Sequence, residues 1–289
     1  MSKTSLLRRI TQQEDINFLI TNRIPRRYAT LFMGWFSRIE NPIIRYLTLT
    51  LWKLFASDLE LDDAKKEKFS SLHDCFIREL KPGARKININ AKIITSPCDA
   101  IIGSHGEING TKLFQAKGFP YTLEELLIDK KLVERYKNGR YITLRLKSTM
   151  YHHFHAPCAG KISQINYISG DTWNVNPIAL KRVEKLFCKN ERAVVDIMAV
   201  DSGIAVTMVP IAAILVASMK FNFLPEILDL KYKGPNSIPC STSFNKGDDL
   251  GYFQHGSTII MFATNSVNLS NTIIEGKQIN MGEELFIKS

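Results

Sequence analysis

Cysteine is sparse in this 289-residue chain, and its five copies (Cys75, Cys98, Cys158, Cys188, Cys240) form no C-x-x-C pair. An odd number at wide spacing excludes a disulfide scaffold and a zinc knuckle, and fits a reducing compartment. No run of about 18 apolar residues occurs, so no transmembrane helix is expected. The nearest approach is Ile204–Met219. Pro210 is expected to split that stretch into two buried strands rich in Val and Ile. The N-terminus lacks the continuous apolar core and small-residue cleavage site of a secretory signal. Internal repeats, low-complexity tracts and flexible linkers are absent too. One catalytic domain carrying an N-terminal helical extension is the simplest organisation.

Hydrophobic residues make up 45% and charged residues 23%, which supports a packed core and excludes a mainly disordered chain. Lys and Arg total 38 against 28 Asp and Glu, for a net charge of +10. That balance favours an anionic partner: nucleic acid, a lipid headgroup surface or a phosphorylated substrate. The charge is concentrated near the start. Residues 1–53 hold Lys3, Arg8, Arg9, Arg23, Arg26, Arg27, Arg38, Arg45 and Lys53 against Glu14, Asp15 and Glu40, which is +6 of the total. Within that segment Leu31, Phe32, Trp35, Phe36 and Ile39 recur at helical spacing. Asn41-Pro42 breaks the pattern, and Ile43, Ile44, Leu47, Leu51, Leu54 and Phe55 resume it. Aromatic apolar faces flanked by arginine suit a membrane-interface element; a helical hairpin packed on the core would read the same way.

A short acidic helix is expected over 58–68, and then the texture changes. Short β-rich runs follow from Lys86: KINI, KIITS, AIIGS, RYITLRL, GKISQINYI, AVVDIMAV, GIAVTMV, AAILVAS and STIIMF. This density predicts an α+β protein with a largely antiparallel β core and helices mainly at the N-terminus. One helix is expected to interrupt the strands at 121–136, capped by Thr122. The domain division is 1–70, helical and membrane-associating, and 71–289, catalytic.

Three clusters could carry chemistry. Tyr151–Cys158 (YHHFHAPC) places three of the six histidines in four positions. On a strand His153 and His155 share one face and His152 takes the other. Such a cluster serves acid–base work or metal binding, and a zinc site would recruit Cys158 and a carboxylate such as Asp99. Ser96–Ala100 (SPCDA) puts Asp99 at a bend, and Phe253–Ile260 (FQHGSTII) sets a Gly-Ser pair before a buried strand. Together they supply the Asp, His and Ser of an activated nucleophile.

The order of these elements resembles the phosphatidylserine decarboxylase proenzymes of the bacterial membrane-associated type. The resemblance rests on FIRELKPGAR (Phe76–Arg85), SPCD (Ser96–Asp99), QAKGFPYTLEELL (Gln115–Leu127) and YHHFHAP (Tyr151–Pro157). It continues through YISGDTWNVNP (Tyr167–Pro177), LFCKNER (Leu186–Arg192) and KGDDLGYFQHGST (Lys246–Thr258). It implies self-cleavage between Gly256 and Ser257, with Asp99 as charge-relay carboxylate, His155 as base and Ser257 as nucleophile. Residues 1–256 then form the large β subunit and 257–289 the small α subunit. The new terminus becomes a pyruvoyl group derived from Ser257. That group forms a Schiff base with phosphatidylserine, and His152 is the candidate donor of the returning proton.

The same resemblance implies an anionic phospholipid membrane as partner, a homodimer, and a peripheral position on the cytoplasmic side of a bacterial cell membrane. It implies no metal and no nucleic-acid partner. The chain departs from the family pattern at Ala100, Lys147–Met150, His153, Ala212, Ala217 and His255. Those departures keep two alternatives open: a pyruvoyl decarboxylase of another amino-acid-bearing substrate, and an unprocessed homologue that only binds anionic membranes. A metal hydrolase on His152, His153, His155 and Cys158 ranks below both.

Overall fold

A computed structural model describes residues 13–55, 59–116, 119–200, 203–215, 218–254 and 257–288. Three helices come first: α1 (Glu14–Asn22), α2 (Arg26–Phe36) and α3 (Pro42–Phe55). Asn41 starts α3, its Oδ1 accepting from the Ile43 and Ile44 N–H groups, with Pro42 at the first helical position where its missing donor costs nothing. The periodic apolar residues of α3 turn outward: Ile43, Leu47, Leu51 and Leu54 are all exposed. The opposite face, through Leu49 and Trp52, packs on Ala64, Phe69 and Cys75. Arg26 ties α2 to the body through Asp171 at 2.5 Å and lies 3.7 Å over the Trp173 ring.

The expected acidic helix over 58–68 does not form. Only a 3-10 turn (Leu61–Asp63) is present among its described residues, because Ala64 turns extended and bridges to Leu80 while the Lys65 N–H donates to the Glu79 carbonyl. A five-residue helix, α4 (Leu72–Phe76), follows. The single helix expected at 121–136 is two: α5 (Leu123–Leu127) and α6 (Lys130–Tyr136). Ile128 takes a positive φ and Asp129 starts a new cap. Thr122 does cap α5, in a reciprocal capping box with Glu125. Two one-turn helices complete the set, α7 (Pro177–Leu180) and α8 (Leu186–Lys189).

The rest is antiparallel sheet, as expected. An eight-stranded sheet runs in the order β12 (Ser237–Phe244), β7 (Gly160–Ile168), β8 (Arg192–Ala199), β9 (Ala205–Ala212), β14 (Ser257–Ala263), β5 (Arg140–Leu146), β2 (Ala100–Glu107), β16 (Gln278–Ile279). A four-stranded sheet has the order β11 (Ile227–Asp229), β10 (Ser218–Phe221), β13 (Asp249–Phe253), β6 (His153–His155). Smaller sheets join β1 (Ile93–Thr95), β17 (Glu284–Lys288) and β15 (Val267–Leu269), and pair β3 (Lys112–Ala116) with β4 (Phe119–Thr122).

Lys86–Ile89 (KINI) forms no strand, and β9 runs unbroken through Pro210. Pro210 pairs with Ile259 of β14, while β8 makes no pair at that position, so the missing N–H interrupts no ladder. The AAILVAS run turns at Leu215, whose φ is positive, before β10 begins.

Both faces of the large sheet are buried. Ile259, Met261 and Ala263 pack with Phe154, Phe221 and Phe253 of the four-stranded sheet. Ile260 and Phe262 face the opposite layer, formed by α5, α6 and residues around Phe187. A strand covered on both sides carries no alternation of polarity, which is why STIIMF reads as a continuous apolar run.

Candidate active site

The chain passes from the small sheet to the large one between Phe253 and Ser257. Ser257 opens β14, in register with Leu146 of β5 on one side and Ala212 of β9 on the other. It shares a parity with Ile259 and Met261, so its side chain enters the layer between the two sheets. Ser257 is fully buried, and its Oγ has no hydrogen-bond partner among the described residues. His255 and Gly256, the departure and the scissile residue of the sequence reading, lie outside the described residues, as does Ala217.

Strand β6 carries the histidines and pairs with β13: His155 opposite Asp249, Phe154 opposite Gly251, His153 opposite Tyr252. Gly251 is required there, because a Cβ would sit 2.0 Å from the Lys220 carbonyl and 3.0 Å from the Phe154 ring. The Phe253 N–H continues the ladder onto the His152 carbonyl. His152 therefore shares the Phe154 face and enters the same inter-sheet layer as Ser257. It is fully buried, with its ring 4.0 Å from that of Phe76. Its Nδ1 donates to the Met150 carbonyl at 2.7 Å, which makes Nε2 the basic nitrogen of the neutral ring.

His155 and His153 lie on the other face, as alternation predicted. His155 Nδ1 donates to the Gly247 carbonyl at 2.9 Å, and its Nε2 accepts from the Tyr151 hydroxyl at 2.9 Å. Burial lowers its basicity, opposed in part by the nearby Asp249 carboxylate, the Gly247 carbonyl and Asp99, so the ring is held in its neutral form. Burial raises the Tyr151 phenol far above its usual range, which keeps it a donor. His153 bridges Asp249 Oδ2 (2.7 Å) and the Ile77 carbonyl (3.0 Å). Burial works against ionisation of Asp249, and the His153 contact outweighs it, holding the carboxyl below its usual range.

Asp99 sits immediately before β2, on a turn closed by Ser96 Oγ donating to the Cys98 carbonyl. That turn touches β6 directly, the His155 N–H donating to the Pro97 carbonyl at 2.7 Å. The Asp99 carboxylate is 1% exposed and engaged by Arg85 Nε and Nη2 at 2.9 and 2.6 Å. It also accepts from the Met281 N–H at 2.8 Å. Arg85 reaches on to Asp63 (2.7 Å) and Glu60 (2.9 Å). The structure thus brings the Asp99 turn and the His155 strand together, and places His152 and Ser257 in one layer. No hydrogen bond joins the Asp99, His155 and Ser257 side chains. Arg85 and Tyr151 hold two of the three, and neither residue carries a signal in the sequence that marks this role.

Comparison with known proteins identifies the family. Residues 72–287 match the family model described as phosphatidylserine decarboxylase. The chain belongs to the phosphatidylserine decarboxylase family. A phosphatidylserine decarboxylase proenzyme from Saccharophagus degradans is 32% identical over 280 residues, covering 94% of this chain and 96% of that one. One from Haemophilus influenzae is 34% identical over 280 residues, with 92% and 93% covered. One from Vibrio parahaemolyticus is 34% identical over 248 residues, with 82% and 86% covered. Membership of this carboxy-lyase family places Ser257, His152 and His155 in an enzyme rather than a binding module.

Proposed function

We propose that the chain cuts itself between Gly256 and Ser257 and decarboxylates phosphatidylserine to phosphatidylethanolamine with a pyruvoyl group made from Ser257. The observation that carries this reading is the fully buried Ser257 hydroxyl with no hydrogen-bond partner among the described residues. A core serine that satisfies nothing is costly to keep, and it fits a residue whose hydroxyl is consumed in a reaction. His155 Nε2 is the base that takes the proton as Oγ attacks the Gly256 carbonyl, a step that requires it to leave the Tyr151 hydroxyl and turn from the outer face of β6 toward the layer that Ser257 enters. Asp99, moving from Arg85 toward the imidazole, stabilises the charge that forms there.

Once formed, a pyruvoyl group at position 257 supplies an electron sink for the pair released with carbon dioxide. His152 shares the layer with residue 257 and returns the proton to the substrate carbon. An apolar cavity of about 370 Å3 between α2 and α3 ends at Phe76, whose ring lies 4.0 Å from that of His152, and suits the substrate's acyl chains. The test is the intact denatured mass of purified protein. Two fragments dividing after residue 256, the smaller lighter than its serine form by one ammonia, are expected. A single 32.8 kDa chain from folded protein would overturn the reading.

The exposed face of α2 and α3 supports a membrane partner. Tyr28 (76% exposed), Trp35 (64%), Tyr46 (69%) and Leu54 (65%) stand in solvent beside Arg38, Arg45 and Lys53, an arrangement for headgroup depth in an anionic bilayer. No helix among the described residues is long and apolar enough to cross a membrane, so the association is peripheral. Trp35→Ser with Tyr46→Ser is expected to lower cosedimentation with phosphatidylglycerol vesicles at least about tenfold, since each aromatic removes apolar burial. Unchanged cosedimentation would mean that this face does not meet lipid.

A further inference from the structure

Between α2 and the outer face of the four-stranded sheet lies a second cavity, of about 290 Å3. Ser218 and Gln254 form its floor, Trp35 one wall, and Arg38 and Lys231 its cations. Met219 and Phe221 of β10 point into the core, so Ser218 points the other way, toward α2. Ser218 is only 4% exposed, and its Oγ has no hydrogen-bond partner among the described residues. Several of the other polar groups are engaged. Thr30 Oγ1 accepts from the Leu215 N–H at 3.0 Å, and Asp229 Oδ1 from the Lys231 N–H at 2.8 Å. Arg38 Nη2 donates to Gln254 Oε1 at 2.8 Å, one of the five N–H groups a guanidinium offers.

An occupant must accept hydrogen bonds from a buried hydroxyl and a guanidinium, and carry the negative charge that two cations facing one carboxylate require. A phosphodiester meets both demands, and arginine is the side chain best shaped to bind one. The position is also informative. Trp35 belongs to the exposed aromatic face, and Gln254 lies three residues before Ser257, at most about 11 Å of extended chain. We propose that this cavity is the phosphate subsite for the phospholipid substrate, with Arg38 and Ser218 binding the phosphodiester while the amino-acid end of the headgroup reaches residue 257. The assignment rests on the decarboxylase reading above.

The test uses the full-length chain and short-chain lipids below their micelle concentration, so that vesicle binding does not contribute. Arg38→Gln is expected to raise KM for dihexanoyl phosphatidylserine about tenfold or more, with kcat within about twofold, because a charge-assisted contact made equally in ground and transition states is lost. Arg38→Lys should recover part of that loss. Ser218→Ala, which leaves the Arg38–Gln254 contact intact, is expected to raise KM by a smaller factor and serves as the decisive variant where Arg38→Gln slows self-cleavage.

Calorimetry with dihexanoyl phosphatidylglycerol, a phosphodiester without an amine, should show the same weakening in Arg38→Gln, whereas dihexanoylglycerol, which lacks the phosphate, should distinguish neither variant from the parent. Unchanged KM and unchanged phosphatidylglycerol binding in both variants would overturn the subsite. Inorganic phosphate competing as well as the lipid would reassign the cavity to a free anion and overturn it as a headgroup site. A parent chain that stays uncut yet binds phosphatidylglycerol through Arg38 would sink the decarboxylase reading and leave the phosphodiester site standing.

Discussion

Ser257→Ala is expected to leave the chain as one uncut species and to abolish carbon dioxide release. Stability and chemistry separate cleanly at this position. Ser257 Oγ satisfies no partner among the described residues, so alanine removes a buried polar atom and breaks no hydrogen bond seen there. Deleting such a hydroxyl from a packed layer is close to neutral or mildly stabilising, on the order of 1 kcal/mol. Thermal unfolding of the variant should therefore match or slightly exceed that of an uncut wild-type sample. Loss of cutting in a protein that is no less stable assigns the hydroxyl to the reaction. Ser257→Cys keeps a nucleophile on the same atom and is expected to cut slowly rather than not at all. Fragments ending at residue 256 from the alanine variant would show that another group does the cutting.

Much of this site was legible because the relevant patterns are local. Period-two alternation put His153 and His155 on one face of a strand and His152 on the other, and the structure keeps that division. Extended one step further, the same rule places Tyr151 with His155, the pair that hydrogen bonds at 2.9 Å. Arg85 carried no comparable signal. It lies fourteen residues before Asp99, separated from it by loop and the three-residue β1, and only the fold brings the two side chains together. The Gly247 carbonyl that orients His155 is a backbone group, which no residue type announces.

The fold misreadings have similar causes. Leu61–Lys68 (LDDAKKEK) favours helix by propensity, yet its backbone is claimed by Glu79 and Leu80. Pro210 reads as a strand breaker unless its neighbour is known to make no pair there. The outward turn of the α3 apolar stripe was the least accessible, because periodicity reports that a helix has two faces and leaves open which one the protein covers.

The Arg85–Asp99 pair yields the second large effect, and its two members should not behave alike. Asp99 is 1% exposed, so Arg85→Gln leaves a buried carboxylate with the Met281 N–H as its remaining partner. Removing one side of a buried ion pair in this way costs about 3–5 kcal/mol. At roughly 2–4 °C per kcal/mol for a chain of this size, Tm is expected to fall on the order of 10 °C. Asp99→Asn is gentler on the fold, because Arg85 keeps Asp63 and Glu60. Combining the two changes removes the stranded charge and should recover much of the loss of Arg85→Gln alone.

Processing is expected to order the variants the other way. Asp99→Asn keeps the shape of the turn against His155 but removes the charge that favours its protonated form, so cutting slows strongly in a protein that remains folded. Intact mass over time and thermal unfolding on the three variants read both orders from the same samples. Should Asp99→Asn cut at the wild-type rate while destabilising as much as Arg85→Gln, Asp99 is an anchor for Arg85 and the base at His155 works without it.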